Sequence, residues 1–147
     1  MAGAAADDPA VPRCYDGTMA DDPPSFIRFH TGDSEMRVEI YQLALELAAR
    51  LYNVVELAEL ERYYLRDALD KKSTAIPVLI ARGLAVSGAE RREHFAHARR
   101  IVTDCAAILD TLRERGTIEV EALGPARTLA SAVLQKLEAM TYRFGAG

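Results

Sequence analysis

The stretch Ala75-Ile76-Pro77-Val78-Leu79-Ile80-Ala81-Arg82-Gly83 decides how the chain is read. Proline has no backbone N–H and its ring crowds the carbonyl four residues back, so most helices stop or kink there. Here the apolar residues keep helical step on both sides of Pro77. The pattern predicts one helix over about Leu57 to Val86, held together through the proline by tertiary neighbours. Leu57, Leu60, Tyr64, Leu65, Ala68, Leu69, Ile76, Leu79, Ile80 and Gly83 form its inner stripe, and Pro77 projects to the opposite side. Lys72 falls inside that stripe and reads as a lysine whose aliphatic stem runs past apolar surface while its amine reaches water.

Working outward, a first helix is predicted from Ser34, with Asp33 or Ser34 as N-cap and Glu35 in the first turn. Val38, Tyr41, Ala44, Leu45, Ala48, Leu51, Tyr52 and Val55 share one face, and Ile40, Leu43, Leu47 and Val54 widen it. An apolar face this wide implies burial on more than one side, as in a central helix or an oligomer contact. After the second helix, Ser87 with Glu90 three residues on has the capping-box spacing and opens a third helix over about Ala89 to Arg115. That helix is expected to bury Phe95, Ala98, Val102, Cys105, Ala106, Leu109 and Leu112. Arg115-Gly116-Thr117 supplies a basic last turn, a C-cap glycine and a fresh N-cap. A fourth helix follows, interrupted at Gly124-Pro125, with Leu129, Val133, Leu134, Leu137 and Met140 inward. Four helices with short links predict an all-α, up-down-up-down four-helix bundle over residues 34–147.

Residues 1–33 have no apolar period and contain Pro9, Pro12, Pro23 and Pro24; they read as a disordered acidic extension. Residues 1–35 hold seven acids and two arginines, so the net charge of −4 hides a bundle that is nearly neutral. Such a domain is not a strongly basic nucleic-acid module, although it has room for a local basic face. Within the extension, Ser25-Phe26-Ile27-Arg28-Phe29-His30 is more apolar than a solvated tail requires. Phe26, Ile27 and Phe29 are either a docking motif, for a partner or for the chain's own bundle, or an apolar patch without a task. Cys14 and Cys105 follow no metal spacing, no apolar run approaches the ~20 residues of a membrane span, and the early alanines lack a basic flank. The expectation is a soluble, cytoplasmic protein with no membrane association.

The chemistry-bearing residues are sparse. Glu90, His94 and His97 share a rough face of the third helix, but no second helix offers the matching Glu-x-x-His of a di-iron bundle, so no metal or other cofactor is expected. His30, His94 and His97 have no nucleophile at a recognisable spacing, and Gly-rich phosphate loops are absent; the chain is expected not to be an enzyme. The most suggestive polar feature is the cluster Arg91, Arg92, His94, His97, Arg99 and Arg100, with Arg82, Lys71 and Lys72 nearby. Arg92 and Arg99 lie about 20° apart on the helical wheel, a small basic stripe, whereas Arg100 is expected to be neutralised by Glu93 and Asp104. On a monomer such a stripe is an ordinary solvated face; symmetry would repeat it around one surface.

From Arg37 to Tyr142 the order of features resembles the small bacterial four-helix bundle proteins encoded in intervening sequences of large-subunit ribosomal RNA genes. Their distant relatives include the accessory variability determinant of diversity-generating retroelements. That family carries Ser-Ile-Pro-x-Asn-Ile-Ala-Glu-Gly in its second helix and a stretch near Ala-Arg-Gly-Ser-Leu-x-Glu in its third. The corresponding residues here are Ala75 to Gly83 and Ala98-Arg99-Arg100-Ile101-Val102-Thr103-Asp104. Leu79 and Arg82 stand in place of the family's Asn and Glu, and Arg100 and Ile101 in place of its Gly-Ser pair, which suggests apolar contact plus an Arg82–Asp104 pairing. The resemblance implies a closed, non-enzymatic bundle, frequently a cyclic pentamer, with a proposed role in binding nucleic acid or a nucleic-acid enzyme. Two functional expectations follow. The first is a homo-oligomer, with a pentamer favoured, that binds RNA or DNA through Arg91, Arg92, Arg99, Arg100 and Lys71 or supports an enzyme such as a reverse transcriptase. The second is a protein-interaction adaptor that docks a partner through Phe26, Ile27 and Phe29 or through an apolar bundle face.

Overall fold

A computed structural model describes residues 34–58 and 63–144. The described chain is all α: α1 (Ser34–Leu57), α2 (Tyr63–Ala85), α3 (Gly88–Arg115) and α4 (Val120–Phe144). Among the described residues, helix backbones approach one another only around the ring α1–α2–α3–α4–α1, and neither diagonal pair meets. Contacts between opposite ends of sequence-adjacent helices, such as Arg66 with the Val55 carbonyl, together with Lys136 of α4 on Glu39 of α1, make the neighbours antiparallel. This is the up-down-up-down bundle. Its core runs the full length of the square, from Ile40, Leu51 and Leu69 through Ile80, Phe95 and Leu109 to Leu137 and Met140.

Several boundaries and faces differ from the sequence reading. The first helix extends to Leu57, which is 57% exposed, and the second begins only at Tyr63; Leu60 lies outside the described residues. Tyr64 is solvent-facing, not inward, because the α2 face that meets the core is Leu69, Ser73, Ile76, Leu79, Ile80, Gly83 and Leu84. On α1 the buried series is Ile40, Ala44, Leu47, Leu51, Val54 and Ala58, so the residues that only widened the expected face are largely its centre, while Leu45 and Tyr52 are exposed. All seven residues expected inside α3 are buried. In α4, Val133, Leu137 and Met140 are buried as expected, Leu129 and Leu134 are half-buried, and Leu123, Ala126 and Ala130 extend the core.

Both prolines are absorbed. α2 runs unbroken past Pro77, which is half-buried and so is not turned fully away from the core as expected. α4 is likewise not interrupted at Gly124-Pro125. Both residues are exposed there, where a carbonyl freed by the missing N–H remains open to water. Ser87 occupies the N-cap of α3 with extended backbone, but its side chain makes no capping bond. Gly116 ends α3 as expected: its left-handed backbone (φ 68°) lets its N–H donate to the carbonyls of Leu112 and Arg113.

One glycine fixes the spacing of α2 and α3. A β-carbon on Gly83 would fall 2.6 Å from Phe95 Cδ1, closer still to Cε1, and 3.3 Å from His94 Cβ. Phe95 is 1% exposed, so its ring has nowhere to retreat. Gly83→Ala improves helix propensity by about 1 kcal/mol, but overpacking costs roughly 1–3 kcal/mol. The expected net result is a lower Tm in thermal melts. Gly83→Ala with Phe95→Leu should regain part of the loss, because the shorter side chain vacates the ring's place.

Candidate nucleic-acid interface

The expected site residues divide into three groups once the helices are placed. Arg91 is not on the surface. It is 6% exposed, and its Nε–H donates to the carbonyls of Gly83 (3.0 Å) and Val86 (2.8 Å). Carbonyls in the last turn of a helix have no partner within it. Arg91 supplies one from the first turn of α3, so it closes the α2–α3 corner and leaves the set of groups able to meet a phosphate. Lys71 is exposed on α2 but bridges Asp67 at 2.9 Å, one turn away on the same helix.

Arg92, Arg99 and Arg100 remain on the outer surface of α3. Arg99 has a distant carboxylate, Glu138 of α4, at 3.9 Å. Among the described residues no carboxylate bridges Arg92 or Arg100. The expected neutralisation of Arg100 by Glu93 and Asp104 does not occur, because Asp104 is held by Lys72 Nζ at 3.0 Å. The same pair replaces the expected Arg82–Asp104 contact. With Gly83 seated on Phe95 and the two helices antiparallel, Lys72 is level with Asp104, whereas Arg82 is about ten residues, roughly 15 Å, farther along. Lys72 itself behaves as expected, with a side chain 29% exposed and its amine at the surface.

On α3 the three arginines do not make one stripe. Arg92 and Arg99 share an edge facing α4, as the Arg99–Glu138 contact shows, and stand about 10.5 Å apart along the axis. Arg100, one residue on, is turned by about 100° towards α2. A shallow depression spans the two directions, lined by His97, Arg99, Arg100, Ile101, Thr103 and Asp104. Farther along the α3–α4 edge, Arg127 is fully engaged: it meets Asp110 at 2.9 and 3.4 Å and Ser131 at 2.9 Å.

Other chemistry-bearing groups are dispersed. Glu90 and His94 approach to 4.0 Å at the surface, and among the described residues no three His, Cys, Asp or Glu side chains gather closely enough to hold a metal ion. Cys105 is fully buried in α3, and burial pushes its thiol from 9.0 up to about 12. No described helix is long and apolar enough to cross a membrane. Phe26, Ile27 and Phe29, the expected docking residues, lie outside the described residues. Sequence reasoning missed two buried cations, Arg37 and Arg91. For Arg91 a signal exists, since it follows the Val86-to-Gly88 corner and a long side chain there can reach back to the preceding helix end.

Two outcomes are expected. Arg91→Gln loses charge-assisted hydrogen bonds at a buried helix end, a loss of about 1.5–3 kcal/mol, and should lower the denaturation midpoint while leaving any nucleic-acid affinity unchanged. Cys105 should resist iodoacetamide at pH 8 in the native protein and react once unfolded. Its raised pKa also means that stability present below pH 9 declines as pH rises towards 12, where the unfolded thiol ionises and the folded one does not.

No protein-family model, curated protein or solved structure matches the chain.

Proposed function

We propose that the protein is a non-catalytic, homo-oligomeric four-helix bundle that binds the phosphate backbone of RNA or DNA, directly or in support of an enzyme acting on nucleic acid such as a reverse transcriptase. The observation that carries this reading is the exposed α3 surface on which Arg92 and Arg100 have no bridging carboxylate among the described residues and Arg99 has only a distant one. Unpaired guanidinium groups on a rigid helix suit phosphate, which accepts two parallel hydrogen bonds from each fork. Bases would not be read, since the side chains project from a convex bundle surface and not from an element inserted in a groove.

A single protomer offers two or three such contacts, which is little. Each neutralised phosphate contributes mainly through counterion release, so affinity rises steeply with the number of contacts made at once. Assembly about a closed axis, five copies in the arrangement the resemblance implies, multiplies the contacts without new residues. The adaptor reading finds its support elsewhere, in the exposed apolar residues Leu45 and Tyr52 of α1.

The test is binding of a labelled single-stranded oligonucleotide and of a duplex across a salt series. The wild type should bind at low salt with a linear loss of log affinity against log salt. Arg92→Glu with Arg99→Glu should weaken low-salt binding by at least about tenfold and lower the slope by roughly one to two. No low-salt binding by the wild type, or an unchanged slope in the variant, removes the basis of the proposal.

A further inference from the structure

Helix α1 carries two apolar series: one fills the core, and the other meets it only towards its ends, where Val38 and Tyr41 pack against the core and Val55 is buried in it. The buried one is Ile40, Ala44, Leu47, Leu51, Val54 and Ala58. The other, Val38, Tyr41, Leu45, Ala48, Tyr52 and Val55, is displaced by about 100°. It emerges on the outside of the bundle: Leu45 is 45% and Tyr52 54% exposed, Val38, Tyr41 and Ala48 are half-buried, and Val55 joins the core at the far end. Its steps are three, four, three, four, three, the spacing with which one helix presents a seam to another. No charged residue interrupts it over about 26 Å.

This series is also the same read backwards. Over Tyr41, Leu45, Ala48 and Tyr52 the steps are four, three, four in either direction, so an antiparallel copy comes into register at each of these layers. The side chains match as well as the spacing. Tyr41 would meet Tyr52 of the second copy and Leu45 would meet Ala48, with a two-fold axis passing between Leu45 and Ala48; Val38 flanks these layers, since Val55, 6% exposed, lies in the bundle's own core. Large against small at the centre and aromatic against aromatic on either side is the alternation that lets facing layers interdigitate. A seam that complements itself in this way is what an isologous interface requires. A different protein's helix would need no such symmetry.

From this we infer that α1 pairs with α1 of a second copy of this chain, antiparallel, through Val38, Tyr41, Leu45, Ala48 and Tyr52. The inference rests on the homo-oligomeric part of the proposed function, but not on five-fold symmetry, since a two-fold contact gives an even number of copies; it is independent of nucleic-acid binding. The strip from Val38 to Tyr52 is about 21 Å long and roughly one helix, 10 Å, wide. That is small beside the roughly 800 Å² per partner of a standard interface, so association should be micromolar and visible as a concentration dependence.

The experiment is sedimentation equilibrium of the full chain over a concentration series, with helicity monitored by circular dichroism. The wild type should form dimers or an even multiple. Leu45→Glu, at an exposed position outside the core, should keep the helicity and weaken association at least tenfold. Leu45→Ala and Ala48→Leu should each weaken it, and the two together should restore it to within about threefold, because the swap rebuilds a large–small layer only in the antiparallel register. A wild type that is monomeric throughout, leaving the strip to another protein's helix, overturns both this inference and the oligomeric part of the proposed function. An oligomer unaffected by Leu45→Glu, or one with an odd number of copies such as a pentamer, overturns the seam alone. A seam broken by Leu45→Glu but not restored by the swap overturns the antiparallel pairing.

Discussion

The ring of Phe95 occupies the space that a side chain on Gly83 would fill, and most of the bundle's geometry depends on that contact. It lets the backbones of α2 and α3 approach closely at one end and sets their antiparallel register. Once the register is set, Lys72 is level with Asp104, and Arg91, four residues before Phe95, comes under the last carbonyls of α2. Without Arg91 the buried Gly83 carbonyl and the half-buried Val86 carbonyl would lose this donor, at a cost comparable to the hydrogen bonds themselves. The apolar contact and the charged cap therefore act on the same corner. The first fixes the distance between the helices, and the second makes that distance tolerable for the backbone.

Pro77 lies in α2, six residues before Gly83. A proline in a helix interior removes one backbone bond and crowds the preceding turn, at ~3 kcal/mol in isolation. Here Ile76, Leu79 and Ile80 around it are almost fully buried, against α1 on one side and α3 on the other. Burial of side chains this size stabilises by ~1.5–3 kcal/mol each, which is enough to keep the helix continuous. Where the motif of the resembling family has polar Asn, this chain buries Leu79, and Arg82 points to solvent. The α2–α3 contact is thus carried by apolar packing and the Arg91 cap, not by a polar network between the helices.

How much of this was legible in the sequence varies with the kind of signal. The α3 face was legible to the residue, because its apolar positions form one series with charged neighbours on either side. On α1 the periodicity was equally clear but pointed to the wrong centre. Two interleaved series, one containing Ala44 and Leu51 and the other Leu45 and Tyr52, both satisfy a helical period, and hydrophobicity alone does not say which of them meets the rest of the chain. The break expected at Gly124-Pro125 failed for a different reason: a helix continues where neighbours hold it, whatever the local propensity. Among the candidate site residues, Arg91 was assigned by its type and its basic company. Its actual role depends on which carbonyls lie beside it, which only the register of α2 against α3 determines.

The charges that decorate the bundle sort by whether a neighbouring helix supplies a partner. Lys72–Asp104, Arg127–Asp110 and Lys136–Glu39 each link adjacent helices across a seam. Exposed pairs of this kind stabilise by only ~0–1 kcal/mol, so their larger effect is on orientation: each favours the observed register over a slipped one, which would bring the same groups opposite other residues. By taking up Asp104 and Asp110, the pairs also remove from the α3 surface the carboxylates that would otherwise screen its arginines. Arg100 lies one turn from Asp104 and still has no bridge to it, because Lys72 reaches that carboxylate first. The open basic character of α3 is in this sense a by-product of how α2 and α4 are docked. It could not have been counted from the composition of α3 alone, where acids and bases nearly balance.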